Sequence, residues 1–260
     1  MWQGRLRAHP HLEDRESRLC ELVEYLGWDV AQKARYCTPW FFEDDPRFTA
    51  YYRQLGLELQ QFRLMHQVSL FNRMDPERRD LFWIYDGLLS RLEALGGPGR
   101  VSVLDFGCGP GLIGLAFACA GYRTVCSEVA PDYCDFQRFM ASIRDVELVV
   151  SLAETERSYY DTAVDGHPFG LVVEWSAFEH VPDVLVALER VTAGLMPGGL
   201  FLTTTFCKDW TPALIEHYRR DAPEPAIAEQ LFSPQTDDWL RERFEVLSPP
   251  QSIAKVLVRR

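Results

Sequence analysis

The sequence lacks several features that would assign its 260 residues to common classes of protein. Its seven cysteines include no C-x-x-C pair, and their odd number argues against a disulfide framework. We therefore expect no structural metal site and no extracellular disulfide scaffold. No apolar run is long enough to cross a bilayer, and no apolar segment typical of a secretory signal opens the chain. These absences favour a reduced, cytoplasmic protein.

Basic residues are scarce relative to acidic ones. The chain has 27 Lys and Arg against 38 Asp and Glu, a net charge of −11, and no basic run. Proteins that bind nucleic acid need a basic face to neutralise phosphates. We therefore expect a small-molecule partner, no nucleic acid and no membrane, and we leave a homodimer open.

The first part of the chain has the periodicity of helices. Leu19, Leu22, Val23 and Leu26 fall on one helical face. A Gly-Gly-Pro-Gly run at 96–99 ends this region and is the best candidate for a domain boundary. We predict a helical N-terminal cap that forms a substrate-binding region over residues 1–97, and a core domain over residues 98–260.

After residue 100, apolar strands alternate with helices. The predicted strands are VSVLDF, RTVCSE, VELVVSL, GLVVEWS and GGLFLTTTF, and FEVLSPPQSIAKVLVRR reads as a closing hairpin. This alternation predicts an α/β fold with a doubly wound, mostly parallel sheet. The hairpin would place an antiparallel strand last.

The segment VLDFGCGPGLIG at 103–114 can be read in two frames. From Gly109 it matches the G-x-G-x-x-G pattern of a dinucleotide site, and from Asp105 it reads Asp-x-Gly-x-Gly-x-Gly. Pro110 stands in the turn and has no N–H to offer a pyrophosphate. Asp105 would repel a diphosphate, and Glu128 ends the next strand, where an acid accepts hydrogen bonds from ribose hydroxyls. A site with acidic side chains and few N–H groups to donate to a phosphate favours a nucleoside with a cationic tail.

The segment VLDFGCGPG resembles the first motif of class I S-adenosylmethionine-dependent methyltransferases. FGLVVEWSAFEHVPD is similar to their fourth-strand region, and LMPGGLFLTTT to the segment that enters their fifth strand. The resemblance covers about residues 100 to 260. It implies a Rossmann-like sheet of seven strands with an antiparallel last strand, S-adenosylmethionine as cofactor, and methyl transfer to a small-molecule acceptor through O, N or C.

The resemblance also implies site residues. The loop would line the methionine part of the cofactor, Glu128 with its neighbour Val129 would hold the ribose, and the chain after the third strand would lie near the adenine. Glu174 and Trp175 would lie under the cofactor. The predicted cofactor-binding residues are Asp105, Gly107, Cys108, Gly109, Gly111, Glu128, Val129, Ala153, Glu154, Glu174 and Trp175.

Two residues are candidates for catalysis. An unperturbed histidine side chain has a pKa of about 6.5, so His180 could act as a general base. Glu174 is the second candidate, since it is an acid in an otherwise apolar strand. Packing roles are open for both: His180 could stabilise a loop, and a helix N-terminus could satisfy Glu174.

Two other functions are open at this point. One is an S-adenosylmethionine-binding protein that transfers no methyl group, because a fold does not fix a function. The other is a nicotinamide-dependent oxidoreductase, which would use the dinucleotide frame of the loop. Measuring the binding of S-adenosylmethionine, its demethylated product and NAD distinguishes the oxidoreductase from the methyltransferase.

Overall fold

Strands and helices alternate through the part of the chain that the structure describes. The computed structural model describes residues 79–153, 168–175, 177–206, 229–248 and 254–260. The helices are α1 (Arg79–Ala94), α2 (Leu112–Cys119), α3 (Pro131–Ile143), α4 (Val184–Ala193) and α5 (Pro234–Arg243). The strands are β1 (Ser102–Phe106), β2 (Arg123–Glu128), β3 (Leu148–Leu152), β4 (Phe169–Glu174), β5 (Leu195–Thr203), β6 (Phe244–Val246) and β7 (Lys255–Arg259).

The described strands form one seven-stranded sheet in the order β3-β2-β1-β4-β5-β7-β6. β1 to β5 run parallel, and β7 pairs antiparallel with both β5 and β6. The prediction of a doubly wound, mostly parallel sheet with an antiparallel last strand is confirmed. The order reverses between β1 and β4, and such a switch point is where open α/β sheets bind their ligands, beyond the carboxyl ends of the strands.

Alternate residues of the central strands enter two apolar clusters on opposite faces of the sheet. Leu104 and Val172 belong to the cluster that includes the buried residues of α4, and Val103 and Leu171 to the cluster that includes α1 and α2. A strand that is covered on both faces is expected to be largely apolar, and β1 is buried at each of its five residues. Asp105 is therefore conspicuous as the charged residue of β1.

Helix α1 lies within the region predicted to be a cap, yet it packs on the core. Leu88, Leu89 and Leu92 are at most 2% exposed and join Val103 and Leu171 in one cluster. The last helix before residue 97 is therefore part of the packing of the sheet. Residues 1–78 lie outside the described residues, so the cap prediction for them stays a prediction.

Candidate functional site

The glycine loop connects β1 to α2 at the carboxyl edge of the sheet. Gly107, Gly109 and Gly111 all have positive φ angles, of 62°, 54° and 72°. At Gly111 a Cβ atom would also lie 2.6 Å from Cγ of Gln137, so neither the backbone nor the space admits a side chain there. The loop is therefore built around glycine for steric reasons, and it begins directly where β1 ends.

The backbone N–H groups of this loop are all engaged within the protein. The donors of Gly107 and Cys108 both reach the carbonyl oxygen of Ser127, at 2.9 and 3.2 Å. The N–H of Gly109 donates to Glu128 Oε2 at 2.7 Å, and the N–H of Gly111 donates to the Cys108 carbonyl oxygen at 2.9 Å. The remaining loop residue is a proline, which has no N–H. A pyrophosphate would therefore find no donor in the loop without breaking an existing bond.

Glu128 ends β2 and contacts the loop through its carboxylate. Its Oε1 accepts from the N–H groups of Val129 and Ala130, at 2.7 and 3.1 Å, and its Oε2 accepts from Gly109. The side chain is 6% exposed, and burial raises the pKa of its carboxyl group, opposed by these hydrogen bonds. Each carboxylate oxygen can accept two hydrogen bonds, so Oε2 retains capacity for a ligand hydroxyl.

Asp105 lies beneath the loop. It is 1% exposed, and its Oδ2 accepts a hydrogen bond of 2.7 Å from the backbone N–H of Gly114 in α2. A Cβ at Gly114 would lie 2.4 Å from the Cys126 sulfur and 3.1 Å from this oxygen, so glycine permits the close approach of α2 to the strands. Burial raises the pKa of Asp105 from 3.8 to about 7, and the nearby charge of Glu128 adds to the shift.

Glu174, the last residue of β4, is saturated by donors from the protein. The N–H groups of Ala177 and Phe178 lie 2.7 and 3.3 Å from Oε1, and the Thr205 hydroxyl lies 2.6 Å from it. Oε2 accepts from the Thr203 hydroxyl at 2.5 Å and from the Thr205 N–H at 3.4 Å. The side chain has no exposed surface. The N–H groups of Ala177 and Phe178 lie at the start of a short 3-10 helix. The placement of Glu174 therefore fits the alternative in which a helix N-terminus satisfies its charge better than it fits catalysis.

The other predicted residues differ in their placement. Ala153 is buried, and its N–H donates to the Glu128 carbonyl at 2.8 Å, so the end of β3 is close to the loop. The Val129 side chain is 55% exposed. Trp175 is half-buried and packs on the cluster that contains α1, whereas the His180 side chain is exposed in a 3-10 turn after β4. Glu154 lies outside the described residues.

Cys108 occupies the middle of the loop. Its sulfur accepts a hydrogen bond of 3.1 Å from Nε2 of Gln137. Burial raises the pKa of the Cys108 thiol well above its ordinary value, so the group stays protonated and does not resemble an activated nucleophile. The cysteines of the described segments, at 108, 119, 126 and 134, are all free thiols.

The sequence analysis missed Gln137, which donates from α3 to the loop. Its signal in the sequence is a polar residue on an otherwise apolar stripe, because Cys134, Met140 and Ala141 lie on the same face of the helix and are buried. The threonines at 203 and 205 that bind Glu174 were missed as well, and no local pattern distinguishes them from other strand residues.

The hydrogen-bonding groups of the site fit S-adenosylmethionine. Two buried carboxyl groups, of Asp105 and Glu128, lie at a loop whose N–H groups are already engaged. This arrangement favours a cation that carries ribose hydroxyls over a diphosphate. Within the described segments, no group of three or more His, Cys, Asp or Glu side chains could hold a metal ion. The described helices include none with the length and apolarity to span a membrane.

Comparisons with known proteins agree with this geometry. A family model described as a methyltransferase domain matches residues 45–246. A ubiquinone biosynthesis O-methyltransferase of Chelativorans sp. (strain BNC1) is 26% identical over 171 residues, which are 54% of this chain and 66% of that protein. Its counterpart in Xanthomonas campestris pv. campestris (strain B100) is 34% identical over 104 residues, 39% of this chain and 42% of that protein. The chain thus spans less than two thirds of the length of these relatives.

Solved structures show partial likeness. Monomeric WbdD is 15% identical, with a TM-score of 0.48 over 71% of this chain and 41% of that one. An S-adenosylmethionine-dependent methyltransferase from Clostridium acetobutylicum ATCC 824 is 12% identical, with a TM-score of 0.37 over 45% of this chain and 47% of that one. The fold assignment rests on the strand order rather than on these overlaps. Because the family model matches most of the chain, the protein belongs to the methyltransferase domain family, and its cofactor is S-adenosylmethionine.

Proposed function

We propose that the protein transfers a methyl group from S-adenosylmethionine to a small-molecule acceptor. The observation that carries the proposal is the pairing of a glycine loop whose N–H groups are engaged with two buried carboxyl groups at the carboxyl edge of the sheet. A nicotinamide dinucleotide would need N–H groups that donate to its phosphates, and those of this loop are already engaged within the protein. A positively charged nucleoside needs acceptors, and both acids supply them.

The chain's residues would bind and orient the cofactor. The loop glycines leave room for the methionine part, with Asp105 below them as a source of negative charge, and Glu128 would accept hydrogen bonds from the ribose. Ala153 and Glu154 would border the adenine, and Trp175 would pack under the nucleoside. When bound, the sulfonium supplies an activated methyl group. The protein's contribution is alignment of the acceptor and exclusion of water.

We propose an oxygen acceptor as the first choice. The two curated relatives described above are named O-methyltransferases, and an oxygen acceptor needs a proton removed as the new bond forms. His180 is exposed just beyond the end of β4, on the carboxyl edge that holds the loop, so it is the proposed base. Glu174 is proposed instead as a scaffold residue, because its carboxylate is fully occupied.

A cytoplasmic location and the absence of a nucleic-acid partner also belong to this proposal. The free thiols of the described residues are typical of a reducing compartment. The net charge of −11 disfavours association with a phosphate backbone.

Titration calorimetry with three ligands tests the cofactor. We expect saturable binding of S-adenosylmethionine and S-adenosylhomocysteine and no binding of NAD. Methyl transfer is then measured with methyl-labelled cofactor against phenols, alcohols and amines. Gly107→Val is the matched control, because a β-branched residue is strained at a φ of 62°. Binding of NAD alone would refute the assignment, and cofactor binding without transfer to any acceptor would favour the non-methylating alternative.

A further inference from the structure

The side chain of Gln137 reaches from α3 to the underside of the glycine loop. The residue is completely buried, and its Nε2 donates to the Gly109 carbonyl at 2.5 Å and to the Cys108 sulfur at 3.1 Å. Its Cγ occupies the space where a side chain of Gly111 would begin, 2.6 Å from that Cβ position. One side chain therefore lies against three residues of the loop, Cys108, Gly109 and Gly111.

The other end of the Gln137 amide has an unusual environment. Its Oε1 is buried and has no hydrogen-bond partner among the described residues. Exchanging the two ends of the amide would place an oxygen against the Gly109 carbonyl, so the orientation is fixed by the loop. A buried acceptor without a partner is destabilising. An aliphatic side chain of similar length would avoid this, so the amide contributes to the structure only through the bonds of its Nε2.

Each of the two peptide groups around Gly109 is thereby held by a side chain. The N–H of Gly109 donates to Glu128 at the end of β2, and the carbonyl of Gly109 accepts from Gln137 in α3. A glycine has no side chain to restrict its own backbone, and these two bonds supply the restriction. The orientation of the loop at Gly109 is therefore set by side chains from two separate elements.

We propose that Gln137 is a positioning residue that holds the loop in the shape that binds S-adenosylmethionine. The inference rests on the proposed cofactor site and assigns to Gln137 no contact with the cofactor. Without the amide, Gly109 would sample other backbone conformations, and binding would have to restore the productive one. The apparent dissociation constant for the cofactor would then equal the intrinsic one divided by the fraction of molecules in the competent conformation.

Gln137→Met tests the proposal, because methionine has a similar length and removes the orphan acceptor together with the donor. We expect the dissociation constant for S-adenosylmethionine, measured by calorimetry on the full chain, to rise about tenfold, as for the loss of one hydrogen bond. The thermal midpoint should stay the same or rise. Hydrogen exchange in a peptide that spans 106–112 should quicken, with other peptides unchanged.

Met140→Leu is the matched control, since Met140 is buried in the same helix and makes none of the loop contacts described here. We expect it to change stability slightly and to leave the dissociation constant unchanged. If Gln137→Met does not fold, Gln137→Glu keeps the size and replaces the donor by an acceptor, so its affinity should fall as well. Wild-type affinity in either folded variant would overturn the inference. Absence of cofactor binding by the wild type would instead overturn the proposed function, on which the inference depends.

Discussion

The carboxylate of Glu128 accepts a hydrogen bond from the backbone N–H of Gly109 at 2.7 Å, which ties the end of β2 to the middle of the glycine loop. The acid expected to hold the ribose is thus also part of the loop's own structure. A change at this residue should affect both.

Glu128→Gln should weaken cofactor binding. The amide nitrogen of glutamine would face a backbone N–H in place of one carboxylate oxygen, so at least one hydrogen bond is lost. We expect the binding free energy of the cofactor to weaken by about 1–3 kcal/mol, which calorimetry would show as a roughly tenfold to hundredfold higher dissociation constant. Glu189→Gln is the control, because that side chain is exposed on α4. Equal affinity of the Glu128 variant and the wild type would contradict the assignment.

Asp105→Asn should change the dependence of stability on pH. Burial raises the pKa of Asp105 to about 7, so the folded protein keeps this proton at pH values where the unfolded chain has lost it. The contribution of Asp105 to the free energy of unfolding therefore falls as the pH rises from about 4 to about 7 and stays lowered above that.

Asparagine can still accept from Gly114 and does not ionise. At about pH 8 the variant should be more stable than the wild type by up to about 4 kcal/mol, and the difference should vanish near pH 4. Urea unfolding across this range measures it. Cofactor affinity measured at about pH 8 should fall in the variant, because the wild-type carboxyl group is largely ionised at that pH and asparagine is not. Identical pH profiles would show that Asp105 is ionised at neutral pH in the folded protein.

Gly111→Ala should damage the loop. The residue has a φ of 72°, and the new Cβ would lie 2.6 Å from Gln137 Cγ. We expect a loss of about 1–3 kcal/mol in stability, measured by urea unfolding, together with weaker cofactor binding. Gly87→Ala is the matched control: Gly87 is exposed in α1 with open space around it, and alanine there should stabilise by about 0.5–1 kcal/mol. A tolerated Gly111→Ala would argue against this loop geometry.

Glu174→Gln distinguishes a scaffold from a catalytic group. Glutamine would direct an N–H₂ group at donors that now point to the carboxylate, so stability should fall by about 1–3 kcal/mol. The folded variant should keep its turnover. Unfolding and single-turnover methylation are measured on the same preparation. Full stability with lost turnover would restore the catalytic role.

His180→Ala should lower the rate without affecting cofactor affinity. General-base catalysis contributes about 10²–10⁴-fold, so a loss in this range is expected with an oxygen acceptor. The rate of the wild type should rise with pH as the imidazole loses its proton, and the variant should lack this rise. An unchanged rate at saturating acceptor would remove His180 from the mechanism.

The helical prediction for α1 illustrates how far local reasoning extends. The Gly-Gly-Pro-Gly run at 96–99 predicted where the helical region ends, and α1 indeed ends at Ala94. Its packing on the sheet could not be read from the same pattern, and the structure shows that Leu88 and Leu92 join the cluster on the sheet. Periodicity reports which face is apolar and says nothing of which surface covers that face.

The sequence by itself determined the order of strands and helices and the frame of the glycine loop. Apolar runs and turn residues are local signals, and Pro110 excludes a phosphate donor wherever the chain folds. Only the tertiary structure showed that Thr205 donates a hydrogen bond to Glu174, 31 positions away in the sequence. The same is true of the hydrogen bond from Gln137 to Gly109, two residues that are 28 positions apart. Such contacts depend on strand register and helix packing, which bring distant side chains within hydrogen-bond distance and leave no periodic trace in the chain.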